Sequence, residues 1–134
     1  MSASELSSEE NEMVIKQLNM TQGEYDMMVR RQESFLLAQD GQFLGRLSSN
    51  RYQSDSVMNE YGAYGSKYST TSIFNQYGRY GSPYASYSPF NPYTSTPPQI
   101  ILRGQCIGVL TKNTFLQNRL DPYQLFDFIC ENRL

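Results

Sequence analysis

The apolar positions of this chain form short runs, which a polar and repetitive stretch separates. Two of the runs, at 34–40 and 99–103, end at a glycine and are followed by second apolar runs at 41–50 and 104–113. The second runs match each other, GQFLGRLSSN with GQCIGVLTKN. Short apolar runs bounded by turn residues are typical of β-strands, so each flank predicts a hairpin.

The glycines of the two flanks predict where each hairpin turns and bends. Asp40-Gly41 is the preferred pair for a two-residue type I′ turn, and Arg103-Gly104 is a weaker version of it. Gly45 and Gly108 fall inside the second strand of each hairpin. A glycine at that place marks a bulge, a bend or the close approach of another backbone.

Between the flanks, NEYGAYGS at 59–66 returns as NQYGRYGS at 75–82, so the repeat has a period of sixteen positions, from 59 to 75. Small, polar, apolar and aromatic positions all keep this register, so the stretch is interpreted as a repeated structural unit and not as a spacer. The third copy loses its later Tyr-Gly positions. The columns in register are Tyr52, Tyr68 and Tyr84; Ser56, Ser72 and Ser88; Val57 and Ile73; Met58, Phe74 and Phe90; Asn59, Asn75 and Asn91; and Tyr61, Tyr77 and Tyr93.

The composition of one copy indicates turns and short strands. Its Asn, Gly and Ser residues are turn formers, because they accept a positive φ or hydrogen-bond to the backbone. Helices are therefore not expected in this block. A unit of this length has the size of a hairpin or of one β-coil.

The residues before the first hairpin predict a helical arm. Thr21-Gln-Gly-Glu24 fits a capping box, and a shorter helix is expected upstream. The arm either packs on its own domain, since short helices are marginal in water, or lies in a groove of a partner with its methionines as adaptable anchors. Its candidate contact residues are Met13, Leu18, Tyr25, Met28 and Val29.

The end of the chain predicts a second helix. Asp121-Pro122 places proline at the first helical position, where its missing N–H leaves no bond unmade. The positions that follow are too apolar to face water all round, so we expect them to cover one face of the β unit, with an oligomer contact as the alternative. These positions are Tyr123, Leu125, Phe126, Phe128, Ile129 and Cys130.

Three motifs link the flanks and the copies: D-G-x-x-L-G-x-L-S-x-N-x-Y-x-x-D-S, the S-x-x-N-x-Y-G-x-Y-G-S copies, and P-P-x-I-x-L-x-G-x-x-I-G-x-L-T-x-N. Over the span from Asp40 to Asn113 the chain resembles the bacterial four-fold β-flower family. The resemblance implies a mainly β fold with helical extensions, in which short hairpins form a pseudo-four-fold ring. It implies no reaction and no catalytic motif.

Three parts are expected on this basis. Residues 1–33 form an acidic, helical arm, residues 34–113 the β-flower repeat domain, and residues 114–134 a C-terminal helical cover. Residues 1–40 hold eight acids and three bases, a net charge of −5, while residues 41–134 hold eight bases and five acids, a net charge of +3. The acidic leader is either a solvated end or a contact for a basic partner.

Composition excludes several classes of site. The chain has no histidine and only two cysteines, Cys106 and Cys130, so we expect no metal, no cofactor and no disulfide, and both cysteines are predicted to be buried. Lysine and arginine do not cluster as phosphate binding requires, so no nucleic-acid partner is expected. Without a long apolar run or a signal peptide, the chain is expected to be cytoplasmic, with no transmembrane segment.

Few catalytic options remain. Neither cysteine has a histidine to activate it, and the acids Asp55 and Glu60 do not recur in the other copies. The recurring Ser56, Ser72 and Ser88 have no recurring base, which favours turn hydrogen bonds over nucleophilic catalysis. GAYGS lacks the Gly-Lys-Ser/Thr of a P-loop. We therefore predict that the chain is not an enzyme.

Nine of the eleven tyrosines lie between 52 and 93, which leaves two interpretations open. Their rings ladder across neighbouring hairpins, as small β units with little core require, or they form an exposed surface for sugars, bases or a protein. The candidate surface residues are Asn59, Tyr61, Tyr64, Asn75, Tyr77, Tyr80, Asn91 and Tyr93.

The sequence therefore predicts a non-catalytic structural or protein-interaction module, acting as a small subunit, linker or assembly factor of a larger complex. The repeat domain is the platform and the arm contacts a protein partner. The alternative is a module that binds a carbohydrate or an apolar small molecule on the Tyr/Asn surface or at a central axis. A hydrolase is the last and least favoured alternative.

Overall fold

The regular elements of this computed structural model, which describes residues 21–134, lie near the two ends of that range. The helix expected around Met13 and Leu18 falls outside the described residues. The described part is a mainly β domain with helical parts. Its elements are α1 (Gln22–Arg30), β1 (Phe35–Leu37), β2 (Phe43–Arg46), β3 (Gln99–Leu102), β4 (Gln105–Leu110), β5 (Arg119–Leu120), a 3-10 turn (Pro122–Gln124) and α2 (Leu125–Glu131).

The strands form one mixed sheet in the order β2-β1-β3-β4-β5. β1 with β2 and β3 with β4 are antiparallel hairpins, as the flanks predict. β1 and β3 also pair antiparallel, with Leu36 opposite Ile100, so two hairpins that are distant in the chain share one sheet. β5 adds a parallel edge beside the end of β4.

The two hairpin turns differ. Arg103 and Gly104 both have positive φ, 47° and 83°, as a type I′ turn requires. In the first hairpin Gly41 has φ 91° but Asp40 is not in the positive region, so the prediction of a type I′ pair there is wrong. The Gly41 N–H donates to the Ala38 carbonyl oxygen at 2.9 Å, and the Asp40 carboxylate accepts the Gln42 N–H. Asp40 thus forms an Asx turn ahead of the glycine.

The glycines inside β2 and β4 stand at the predicted irregularities. Pairing shifts register between Phe35 and Leu37 in the first hairpin and between Ile100 and Ile101 in the second. Gly45 has φ 120°, and a Cβ there would lie 2.9 Å from the Cβ of Tyr64. Both a bulge and a close approach therefore require glycine at this position.

Residues 47–98, here called the turn block, contain successive turns and no strand. In the first full copy the N–H to carbonyl bonds start at Ser56, Asn59, Gly62, Ser66 and Ser69, and in the second copy at Ser72, Asn75, Gly78, Ser82 and Ala85. Each of these two copies thus contains five turns that follow one another at intervals of three or four positions. Turns replace the short strand pairs expected there, because Ser and Asn side chains accept the amides that a ladder would use.

The core lies between the sheet, the turn block and α2. The buried cluster unites sheet residues such as Leu36 and Ile100 with Val57 and Ile73, the apolar column of the repeat. Leu125 and Ile129 of α2, one turn apart, are 1% and 0% exposed and belong to this cluster, so α2 packs on the core. As predicted, Pro122 begins the 3-10 turn before α2, after the Asp121 cap.

Both cysteines are exposed, contrary to their predicted burial. Cys106 lies in the first half of β4, where all three residues are exposed because β5 pairs only with Val109 and Leu110. Cys130 lies on the face of α2 that does not carry Leu125 and Ile129. Neither position is covered by another described element.

Candidate recognition surface on the turn block

Six tyrosines of the turn block project into solvent in two regular columns. Column A is defined as Tyr52, Tyr68 and Tyr84, with side chains 94%, 89% and 90% exposed, and column B as Tyr61, Tyr77 and Tyr93, with side chains 96%, 88% and 88% exposed. The members of each column are one period of the repeat apart, one per copy. Because tyrosine usually buries much of its ring, six rings this exposed form an unusual surface.

The same type of side-chain hydrogen bond fixes the backbone at every tyrosine of the two columns. The residue two places before each tyrosine is Asn or Ser, and its side-chain oxygen accepts the tyrosine's own backbone N–H. The pairs, with their N···O distances, are Asn50–Tyr52 (3.0 Å), Asn59–Tyr61 (3.0 Å), Ser66–Tyr68 (3.1 Å), Asn75–Tyr77 (3.1 Å), Ser82–Tyr84 (3.2 Å) and Asn91–Tyr93 (3.0 Å). The corner beneath each ring is therefore fixed without burial of the ring.

The asparagines that precede column B use both ends of their amides on the backbone. Besides accepting the tyrosine N–H, each donates from Nδ2 to a carbonyl six residues earlier. The acceptors are Gln53 for Asn59 (3.1 Å), Ser69 for Asn75 (3.0 Å) and Ala85 for Asn91 (3.1 Å). The sequence predicts these asparagines as candidate surface residues. In the structure, their side chains hold the backbone of the turns in position.

The recurring serines also make turn hydrogen bonds, as the sequence favours. Ser56, Ser72 and Ser88 are all fully buried. Their hydroxyl oxygens accept the N–H of Met58, Phe74 and Phe90, respectively, at 3.0–3.1 Å. The Ser56 hydroxyl also donates to the Ser48 carbonyl oxygen at 2.8 Å.

A groove of about 830 Å³ opens on this face of the first two copies. Its aromatic lining is Tyr61, Tyr68, Tyr77 and the half-buried Phe74, and the half-buried Met58 also lines it. Its charged and amide side chains are Arg51, Glu60, Lys67, Asn75 and Gln76. The groove therefore combines exposed ring faces with hydrogen-bonding groups, as ligand sites do.

Tyr64, Tyr80 and Tyr87 follow the other interpretation and pack inside. The Tyr64 ring meets Phe43 edge-on, with centroids 4.9 Å apart, and Tyr80 lies 6.5 Å from Tyr87. The Tyr80 hydroxyl donates to the Asp40 carboxylate at 2.7 Å. Burial and this hydrogen bond raise the pKa of Tyr80 well above its ordinary value. Tyr64 and Tyr80 are thus core contacts, not surface residues.

Column A is the part of the surface that sequence reasoning missed. Its three tyrosines are in register in the repeat but were not chosen as candidates. Among the tyrosines of the turn block, the signal that identifies all six rings is an Asn or Ser two places before the tyrosine, since the inward Tyr64, Tyr80 and Tyr87 follow Gly62, Gly78 and Ala85 at this spacing. The spacing does not distinguish phenylalanines, because Asn113 precedes Phe115, which is 90% exposed, whereas Ser72 and Ser88 precede the half-buried Phe74 and Phe90.

The described arm residues face their own domain. Thr21 caps α1 by accepting the Glu24 N–H at 3.0 Å, as predicted, and Tyr25, Met28 and Val29 are half-buried. The Tyr25 ring meets Phe35 edge-on, with centroids 6.2 Å apart. These contacts favour packing of the arm on its own domain for the part of the arm that begins at Thr21.

An ion-pair network joins the arm to the sheet and the turn block. The Arg46 guanidinium contacts Glu33 at 2.9 Å and Asp55 at 3.1 Å. The Arg46 backbone N–H donates to the Asp55 carbonyl, and its carbonyl accepts the Val57 N–H. The end of the arm, β2 and the first copy are thereby held at one point.

Among residues 21–134, no group of three or more His, Cys, Asp and Glu side chains is placed to hold a metal ion. Within the same range, no helix is long and apolar enough to cross a membrane. Comparisons with protein-family models, curated proteins and solved structures found no match for this chain. The geometry of the surface is therefore what indicates a function for this chain.

Proposed function

We propose that this chain is a non-catalytic interaction module in which the turn block is the platform and the tyrosines of columns A and B are the contact surface. The carrying observation is that all six rings are at least 88% exposed at backbone corners held by side-chain hydrogen bonds. Tyrosine offers a large contact area with a polar tip and few rotatable bonds, so a fixed backbone beneath it lowers the entropy lost on binding.

We also propose that the chain has no catalytic role. The recurring serine hydroxyls are committed to turn hydrogen bonds, and none has a described carboxylate, lysine or histidine partner. Both cysteines lie in a chain that has no histidine to activate them. These features support a role in binding.

Affinity purification from the native cell tests the platform. The tagged full-length chain is compared with two triple variants, Tyr52→Ser, Tyr68→Ser and Tyr84→Ser in column A, and Tyr61→Ser, Tyr77→Ser and Tyr93→Ser in column B. Bound proteins and bound small molecules or glycans are both identified by mass spectrometry. We expect the bound material to be lost from at least one triple variant and retained by Phe115→Ser, an exposed aromatic outside the columns. Equal recovery by all variants would refute the platform.

A protein contact through the arm is the second candidate. α1 presents Met27, which is 46% exposed, beside the acidic Glu24 and Asp26 on its outer side. A partner with a basic rim around an apolar pocket would fit this face. In the same purification, Met27→Ser together with deletion of residues 1–20 would abolish recovery of such a partner, while the column variants would retain it. A small subunit, linker or assembly factor of a larger complex is the role this candidate supports.

We also propose that the hairpins form a pseudo-four-fold ring and that the protein is cytoplasmic. The ring is supported by the two matching hairpin strands that bracket the copies, because their starts at 41 and 104 lie close to four periods of the repeat apart. The paired β1 and β3, which bring the two ends of the turn block to one sheet, also support it. Fractionation of the native cell would test the compartment.

A further inference from the structure

We infer that the groove between the tyrosine columns accommodates a neutral, linear polysaccharide, whose sugar rings stack on successive tyrosines. This inference rests on the proposed function, because it names the ligand class of the same surface. It follows from four properties of the described residues: the isolation of the rings, the charge of the groove, its uncommitted polar groups and its repetition.

The six rings are isolated from one another. The close aromatic pairs in the described chain involve other rings, such as Phe43 with Tyr64 and Phe90 with Tyr123, and include no member of column A or B. Each exposed ring therefore offers both its faces. An aromatic face is electron-rich, so it attracts the weakly positive C–H groups that line one side of a sugar ring.

The charge of the groove fits a neutral ligand. Its charged lining consists of two bases, Arg51 and Lys67, and one acid, Glu60, which gives a net charge of +1. In the third copy the residues before the two tyrosines are Pro83 and Pro92, which carry no charge. A nucleic acid brings one negative charge per nucleotide and needs a matching row of cations, which these columns lack.

The polar groups of the groove suit hydroxyl groups as partners. Glu60, Lys67 and Gln76 are exposed, and no intramolecular hydrogen bond of their side chains occurs among the described contacts. Glu60, Lys67 and Gln76 line the same groove as the tyrosines that follow them, Tyr61, Tyr68 and Tyr77. Carboxylate, ammonium and amide groups placed around a ring can both accept from and donate to sugar hydroxyls.

The repetition of the surface points to a polymer. The same ring, on the same turn, recurs once per copy in each column over three copies. A ligand with one sugar ring would use a single position, whereas a linear chain can engage several positions at once. Linked contacts of this kind raise affinity with chain length, because the later contacts form at high effective concentration.

Titration calorimetry on the full chain tests the inference with a panel of neutral hexasaccharides: maltohexaose, cellohexaose, xylohexaose, mannohexaose and chitohexaose. We expect at least one to bind about tenfold more tightly than its own disaccharide. Each triple Tyr→Ser variant should weaken this binding by about tenfold or more, since it removes several contacts at once. The matching Tyr→Phe triple variants keep the rings and should stay within about threefold of the parent protein.

Phe115→Ser is the control for loss of an exposed aromatic outside the columns, and it should bind as the parent does. Poly(U) and a decaproline peptide are titrated in parallel. No binding of any hexasaccharide, or binding that both triple Tyr→Ser variants retain, would overturn the inference. Binding of poly(U) or decaproline that depends on the columns, without hexasaccharide binding, would overturn the polysaccharide but leave the platform standing. The platform itself fails only if the native purification is unaffected by the column variants.

Discussion

In the two-hairpin sheet, backbone amides bond to carbonyls of the neighbouring strand, whereas in the turn block they bond to a side chain or carbonyl a few residues earlier. The sheet therefore needs its side chains for the core, and Phe35, Leu36 and Leu44 are all fully buried. The turn block satisfies its backbone locally and contributes Val57, Ile73 and Tyr80 to the buried core cluster. Six of its nine tyrosines are left free to face solvent.

The difference indicates that the stability of this molecule and its proposed recognition of a partner depend on different residues. Ser and Asn of the turn block hold the backbone, while the tyrosines two places later contribute area at the surface. In the sheet, by contrast, the side chains that stabilise the fold are the ones buried in the core. Substitutions at four kinds of position test this separation.

Truncation of the sheet core should have the largest effect. Phe35 is fully buried and packs against the rings of Tyr25 and Phe43. Phe35→Ala should lower the free energy of unfolding by about 3–5 kcal/mol, through lost burial and the cavity left behind. Urea denaturation followed by circular dichroism measures the change. Phe115→Ala, at a ring that is 90% exposed, is the control, and a similar loss in both variants would contradict the assignment.

Loss of a turn asparagine should come next. Asn75→Ala removes the acceptor for the Tyr77 N–H and the donor to the Ser69 carbonyl. We expect a loss of about 1–3 kcal/mol, because backbone groups arranged for these bonds are left unpaired. The same denaturation experiment measures it, with Gln76→Ala, an exposed neighbour, as the control. A loss no greater than that of the control would mean that the turns do not depend on their asparagines.

A third prediction concerns pH and the Tyr80 hydroxyl, which joins the two regions through its hydrogen bond to Asp40. The pKa of Tyr80 is raised by burial and by its hydrogen bond to Asp40, so the folded state holds the phenol proton more tightly than the unfolded state does. The stabilisation that the Tyr80 hydroxyl contributes is complete at pH values below the pKa of tyrosine in the unfolded state, about 10, and is lost progressively as the pH rises above it. Tyr80→Phe should therefore reduce the fall in unfolding free energy between about pH 9 and pH 11. An unchanged slope would argue against this linkage, and Tyr77→Phe is the exposed control.

The smallest effect is expected at the columns themselves. Each Tyr→Ser change in column A or B removes a ring that is at least 88% exposed and leaves the turn hydrogen bond in place. We expect less than about 0.5 kcal/mol per substitution. Thermal unfolding of the two triple variants measures the sum. A large loss would show that the rings stabilise the fold and would remove the contrast between the two regions.

The hairpins could be predicted from sequence because their signals are local. Gly104 with a positive φ, the Gly45 bulge and Pro122 at the start of the C-terminal helical segment each depend on the conformational limits of one residue. The Thr21 cap is equally local. These conformational limits apply in any structural context, so they can be predicted from the sequence alone.

The remaining features depend on the partners that the fold brings together. The period of the repeat fixes which positions are equivalent but not whether a copy is a hairpin or a set of turns. Tyr61 and Tyr64 belong to one motif, yet only Tyr64 meets Phe43. Cys106 is exposed because β5 is too short to flank the whole of β4. Spacing alone contains none of this information, although the Asn or Ser two places before each exposed tyrosine of the turn block could have identified the columns.

The pairing of β1 with β3 has a consequence for how this protein can change in length. The turn block leaves the sheet after β2 and returns to it at β3, and both ends are bonded to the hairpins, at Arg46 with Val57 and at Lys112 with Pro89. An open array tolerates duplication of a unit, because a new unit simply extends the end. Here an inserted copy would have to fit between two anchors that are already joined. We therefore expect related chains to vary at their termini and in the identity of the column residues, while the number of copies stays constant.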